Sequence, residues 1–176
     1  MMMLFCGCAK SSGAMDRALS LRDAVTNGKG CTFSVVITAD YQDVYFTFKL
    51  DCQANEVGDI TFSVKEPESI CGITGNISAE GGKLTFDDQM LVFPEMIDGQ
   101  ITPLVAPWLF LKTLRGGYIT GCAQNDIGLL MQIKDTYFED ALQINIQTNA
   151  DVPVFAELIW EDRRIMTLDV EAFRIL

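Results

Sequence analysis

The stretch Cys31–Cys52, CTFSVVITADYQDVYFTFKLDC, decides how the chain is read. Cys31, Phe33, Val35, Ile37 and Ala39 alternate with Thr32, Ser34, Val36, Thr38 and Asp40. A period of two is that of a strand with one buried face. Val44, Phe46, Phe48, Leu50 and Cys52 then alternate with Tyr45, Thr47, Lys49 and Asp51. A fold about Asp40-Tyr41-Gln42-Asp43 pairs Ala39 with Val44, Ile37 with Phe46, Val35 with Phe48, Phe33 with Leu50 and Cys31 with Cys52. Every inward residue is then apolar, and a slip of one would mix the faces. Directly opposed residues hold their Cβ atoms about 4.5–5.5 Å apart, so a modest closing brings Cys31 and Cys52 to disulfide distance. In an oxidising compartment the pair is a candidate disulfide; in a reducing one it is two small core residues.

The same period runs outward from this hairpin. Ile60, Phe62 and Val64 alternate in DITFSVK, and ICGITGNIS-AEGG-KLTFDD reads as a hairpin with Ile77 opposite Leu84. Strands follow at YITGCAQ, GLLMQIK, ALQINIQ, VPVFAELIW and RIMTLDVEAF. In the last pair Val154, Ala156, Leu158 and Trp160 face Arg164, Met166, Leu168 and Val170 about Asp162. Short connections between successive strands predict an antiparallel meander of about ten strands.

Two helices interrupt it. In Met15–Asn27, Ala18, Leu21 and Val25 form one apolar stripe, and Gly28 is the stop. In APWLFLKTLRGG, Pro107 opens a helix, Lys112 and Arg115 lie in its last turn, and Gly116-Gly117 end it. The prolines and Asp-Gly pair between Met90 and Pro107 predict irregular chain.

Composition narrows the function. The 176 residues fit one domain with a single core. A net charge of −11 offers no basic surface for nucleic acid and none for anionic head groups. The chain has no histidine, which removes Ser/His/Asp and Cys/His catalysis and the commonest transition-metal ligand. Asp87-Asp88 lacks the spaced oxygens of a calcium loop. Glu161-Asp162-Arg163-Arg164 reads as the charged tip of the last hairpin. The glycines of RGGY and AEGGK lack the spacing of phosphate loops. No enzyme, metal site or cofactor is expected.

At the N-terminus, Phe5-Cys6-Gly7-Cys8 resembles a bacterial lipobox, with Gly7 as the small residue before the modified thiol of Cys8. The seven residues ahead of Cys8 carry no basic n-region, so residues 1–7 read as the remnant of a signal peptide that starts upstream. Residues 8–14 read as a lipidated polar tether, and residues 15–176 as the folded domain.

Lipobox, tether, short helix, meander, Pro-led helix and further meander together resemble the LolA-like and LppX-like superfamily of lipoprotein carriers. The closest likeness is to small lipoproteins of Gram-positive clostridia. The resemblance rests on CTFSVVITADYQDVYFTFKLDC, ICGITGNISAEGGKLTFDD, APWLFLKTLRGGY and PVFAELIWEDRRIMTLDVEAF. It implies an α+β, mainly β, fold: a strongly curved antiparallel half-barrel closed by one or two helices. It further implies an apolar ligand face made of Phe33, Val35, Ile37, Phe46, Phe48, Leu50, Ile60, Phe62 and Val64. On the covering helix, Trp108, Leu109, Phe110 and Leu111 would complete it. The expected protein is extracytoplasmic, anchored at Cys8 to the outer face of the cytoplasmic membrane, and binds a lipid or acylated ligand without catalysis. The alternative is an interaction lipoprotein with a filled core and an acidic surface for an envelope partner.

Overall fold

A computed structural model describes residues 9–41, 44–87, 89–97, 100–138 and 140–176. Cys8, the expected lipid site, lies outside the described residues, as do Cys6 and Asp88.

Strands β1 (Gly30–Asp40) and β2 (Tyr45–Asn55) pair antiparallel, but two residues away from the expected register. Ala39 faces Phe46, Ile37 faces Phe48, Val35 faces Leu50, Phe33 faces Cys52, and Cys31 faces Ala54. A slide of two preserves the inward face, so the alternation is obeyed by both registers. Tyr41 decides between them. Its N–H donates to the Val44 carbonyl at 3.1 Å, its hydroxyl donates to the Ile101 carbonyl, and its ring meets Phe46. Tyr41 thus belongs to the hairpin ladder, and its centre lies one residue later than expected. Cys31 and Cys52 are therefore diagonal neighbours, and both are free thiols.

The chain continues through β3 (Ile60–Glu66), β4 (Thr74–Ser78), β5 (Gly81–Phe86) and β6 (Gln89–Phe93). A two-stranded hairpin follows, β7 (Met96–Ile97) and β8 (Gln100–Ile101). The expected irregular region therefore contains three short strands. Here too the register slides by two: Ile77 faces Gly82, and Leu84 faces Gly75. Rings explain the choice. A Cβ on Gly82 would lie 2.1 Å from Phe93, and one on Gly75 would lie 2.6 Å from Phe62, so both glycines lie under aromatic rings.

After helix α2 (Ala106–Gly116) come β9 (Tyr118–Gln124), β10 (Leu129–Lys134), β11 (Gln143–Asn149), β12 (Val152–Trp160) and β13 (Arg163–Ile175). Two-residue turns join the last three strands. Ala150 and Asp151, then Glu161 and Asp162, have φ of 47°, 67°, 50° and 59°, the pattern of type I′ hairpin turns. Ala156 faces Leu168 and Leu158 faces Met166, as expected. At the tip the register shifts, so Trp160 faces Arg163 rather than Arg164.

Both meanders join through β1 and β13, giving one sheet in the order β6-β5-β4-β3-β2-β1-β13-β12-β11-β10-β9. The eleven strands curve without closing, a half-barrel with two helices among the described residues. Helix α1 spans Ala9–Asn27, six residues longer than the expected helix, so residues 9–14 continue it. Ala14 extends the buried stripe of Ala18, Leu21 and Val25, while Leu19 and Ala24 face solvent. The stripe packs against β9, β10 and α2. Arg22 ties the helices together: its Nε donates to the Leu114 carbonyl at 2.8 Å, satisfying an acceptor in the last turn of α2.

Candidate functional site

Eleven of the thirteen residues expected on the apolar face pack into a closed core. Phe33, Val35, Ile37, Leu50, Phe62, Trp108 and Phe110 are all buried, as are Ile60, Val64, Leu109 and Leu111. Phe33 and Phe110 meet edge to face with centroids 6.1 Å apart, and Phe173 stacks on Phe33 at 5.6 Å. Burying apolar side chains is worth about 1.5–3 kcal/mol each, so this interface holds α2 to the sheet. Lys112 lies 4.6 Å from the centre of the Trp108 ring and covers its outer side. Phe46 and Phe48 are different. They stack on each other at 6.1 Å, and Phe46 remains 42% exposed.

Tyr41 connects that aromatic pair to a pocket of about 340 Å³ at one end of the half-barrel. Tyr41, Ile101, Trp160 and Ile165 supply its apolar walls, and Gln100, Glu161 and Arg163 its polar groups. Three parts of the sequence converge here: the end of β1, the β7–β8 hairpin that precedes α2, and the β12–β13 tip. The hydroxyl of Tyr41 is engaged by Ile101, so the residue presents its ring to the pocket. Burial pushes the Tyr41 phenol up to about 12. Arg163 enters through the register shift that makes it the cross-strand partner of Trp160. Its Nη2 donates to the Asp40 carbonyl at 3.3 Å. The charged hairpin tip expected from the sequence is present, with Arg164 turned to Glu157 at 3.0 Å.

Sequence reasoning placed the ligand face under α2 and missed this pocket. The signal was available in Glu161-Asp162, two turn residues rather than a single pivot, which moves Arg163 beside Trp160.

A second surface is apolar and open. At the free edge of the sheet, Met90, Leu91 and Val92 of β6 are 68%, 63% and 66% exposed. Phe86, Met96 and Ile97 are exposed nearby in the chain. The outer face of β13-β1-β2-β3-β4 carries a shallow groove of about 700 Å³ in which Thr32, Ser34, Asp51 and Ser63 stand beside Phe33 and Phe62. Ser34 donates to Asp51 at 2.6 Å, and that bond, aided by Lys65, holds the Asp51 carboxyl below its ordinary value.

Cys31, Cys52 and Cys122 show no reactive environment. Burial pushes the Cys31 thiol up to about 11, Cys52 further upward, and Cys122 upward as well. Among the described residues no cluster of three metal-ligating side chains occurs, and no helix is long and apolar enough to cross a membrane.

No known family model matches the chain, and no characterised protein sequence matches it. Solved structures do resemble it in chain course. An uncharacterised conserved protein from Thermus thermophilus shares 12% identity at a TM-score of 0.48, covering 94% of this chain and 86% of that one. A LolA superfamily protein from Nitrosomonas europaea shares 9% identity at a TM-score of 0.45, covering 96% and 94%. The lipoprotein LppX from Mycobacterium tuberculosis shares 12% identity at a TM-score of 0.42, covering 92% and 93%.

Proposed function

We propose that this chain is a membrane-anchored extracytoplasmic lipoprotein that binds an apolar or acylated ligand without catalysis. The pocket bounded by Tyr41, Ile101, Trp160 and Ile165 is the observation that carries the reading. Its volume falls at the lower end of small-ligand sites, and its lining is mixed, with the apolar side chains of Tyr41, Ile101, Trp160 and Ile165 beside Gln100, Glu161 and Arg163. Phe46 and Phe48 continue its apolar surface past Tyr41. The closed core beneath α2 is then the scaffold, and the ligand site lies at the end of the half-barrel.

The anchor is the thiol of Cys8, expected to carry a diacylglyceryl group. Two chains give durable membrane attachment where one gives only marginal attachment. In a Gram-positive envelope, which the sequence resemblance implies, this holds the pocket at the outer face of the cytoplasmic membrane.

Two experiments test the reading. Metabolic labelling with palmitate should mark the wild type, and persistent labelling of Cys8→Ala would end the anchoring claim. A fluorescent acyl probe should bind the folded domain and be lost from Gln100→Trp, which fills the pocket from an exposed lining position. Equal binding by both forms would place the ligand elsewhere.

The exposed apolar edge at β6 favours a second reading, an envelope protein partner that pairs with this strand. Unpaired edges with apolar side chains are templates for strand addition.

A further inference from the structure

The pocket beside the last hairpin has a chemical order. Ile101 and Ile165 are buried, Trp160 and Arg163 are half-buried, and Glu161 is exposed at the turn. A bound chain would lie against Ile101, Ile165 and Trp160, with the Arg163 guanidinium beside it and the Glu161 carboxylate at the exposed turn.

We infer that the pocket takes a single-chain amphiphile whose one anionic group is held by Arg163. The inference rests on the apolar-ligand reading above and adds the head-group chemistry. Arg163 has five N–H donors in a planar fork, and its bond to the Asp40 carbonyl uses Nη2. It makes no ion pair among the described residues, whereas its neighbour Arg164 is taken by Glu157. A guanidinium beside an indole ring and half withdrawn from water is suited to bidentate binding of a carboxylate or phosphodiester. Glu161 limits the charge accepted. With one cation and one carboxylate lining the pocket, Arg163 holds one anionic group and Glu161 opposes a second. At about 340 Å³ the pocket suits one chain rather than two.

The register explains why the site exists. Had Trp160 faced Arg164, the guanidinium beside the indole would be the one that pairs with Glu157. The shift between Leu158 and Ile159 instead leaves Arg163 as Trp160's partner.

The test uses three lauroyl compounds below their micellar concentrations: laurate, lauroyl-lysophosphatidylcholine and neutral monolaurin. Trp160 fluorescence, in a Trp108→Phe background, reports binding. At least one of the two anion-bearing compounds should bind about tenfold more tightly than monolaurin, and which one does so separates a carboxylate source from a phosphodiester source. Arg163→Gln should remove that preference by weakening the favoured compound about tenfold more than monolaurin, while Arg163→Lys should restore part of it. Thermal melting of both variants checks that they are folded. Equal affinity for all three compounds, or a preference that survives in folded Arg163→Gln, overturns the head-group assignment while the apolar-ligand reading stands. Failure of all three to bind overturns both.

Discussion

Phe110 of α2 meets Phe33 of β1 edge to face, with ring centroids 6.1 Å apart, and Phe173 of β13 completes the cluster. Because β1 and β13 are the strands that join the two meanders, this cluster sits on the seam of the half-barrel. Phe110→Ala should therefore cost about 3–5 kcal/mol, the range for emptying a large aromatic site. Chemical denaturation measures it. A loss below about 1 kcal/mol would mean that α2 does not close the sheet there.

The hairpin turns offer a gain. Ala150 holds a φ of 47° in the β11–β12 turn, a region that alanine adopts at a cost and asparagine or glycine readily. Ala150→Gly should raise stability by about 0.5–1 kcal/mol. A decrease in the denaturation midpoint would contradict the type I′ assignment.

Stability should fall in alkali. The folded-state value of Cys31 is raised by burial to about 11, above the usual thiol value of 9.0. The unfolded chain thus loses its proton first, and the stabilisation present below about pH 9 is lost as pH rises towards 11. Tyr41, raised from 10.0 to about 12, acts in the same direction at higher pH. Cys31→Ala should flatten the decline between pH 9 and 11, read from denaturation midpoints across that range. An unchanged slope would remove Cys31 as its source.

Thiol accessibility separates the two possible states of the first hairpin. Exposed Cys71 should alkylate readily in the native protein, and Cys31 and Cys52 only after unfolding. Peptide mapping after alkylation in denaturant should find both buried cysteines modified. A Cys31–Cys52 disulfide would require the diagonal pair to close against the observed register.

The residues that were legible in the sequence are those whose burial repeats along one strand. Phe33, Val35, Ile37 and Leu50 alternate so regularly that the inward face follows from period alone. Partner choice did not follow. Sliding β2 or β5 by two residues changes every cross-strand pair and no residue's face. What selected the register were contacts distant in sequence, Tyr41 with Ile101 and Phe93 over Gly82. The pairing of β1 with β13 was hidden for the same reason, since its two strands lie at opposite ends of the domain. The pocket depends on all these long-range placements at once. Its residues come from segments near 41, 101 and 160–165, and no local pattern marks them as neighbours.

If the Tyr41–Trp160 pocket holds an amphiphile in the cell, native mass spectrometry of protein taken from cells should detect it. The Cys8→Ala form, which lacks the proposed lipid site, should be extracted under mild conditions beside Cys8→Ala/Gln100→Trp. An added lipid mass is expected on the first form and not on the second. A bare protein mass for both, or the same adduct on both, would contradict it.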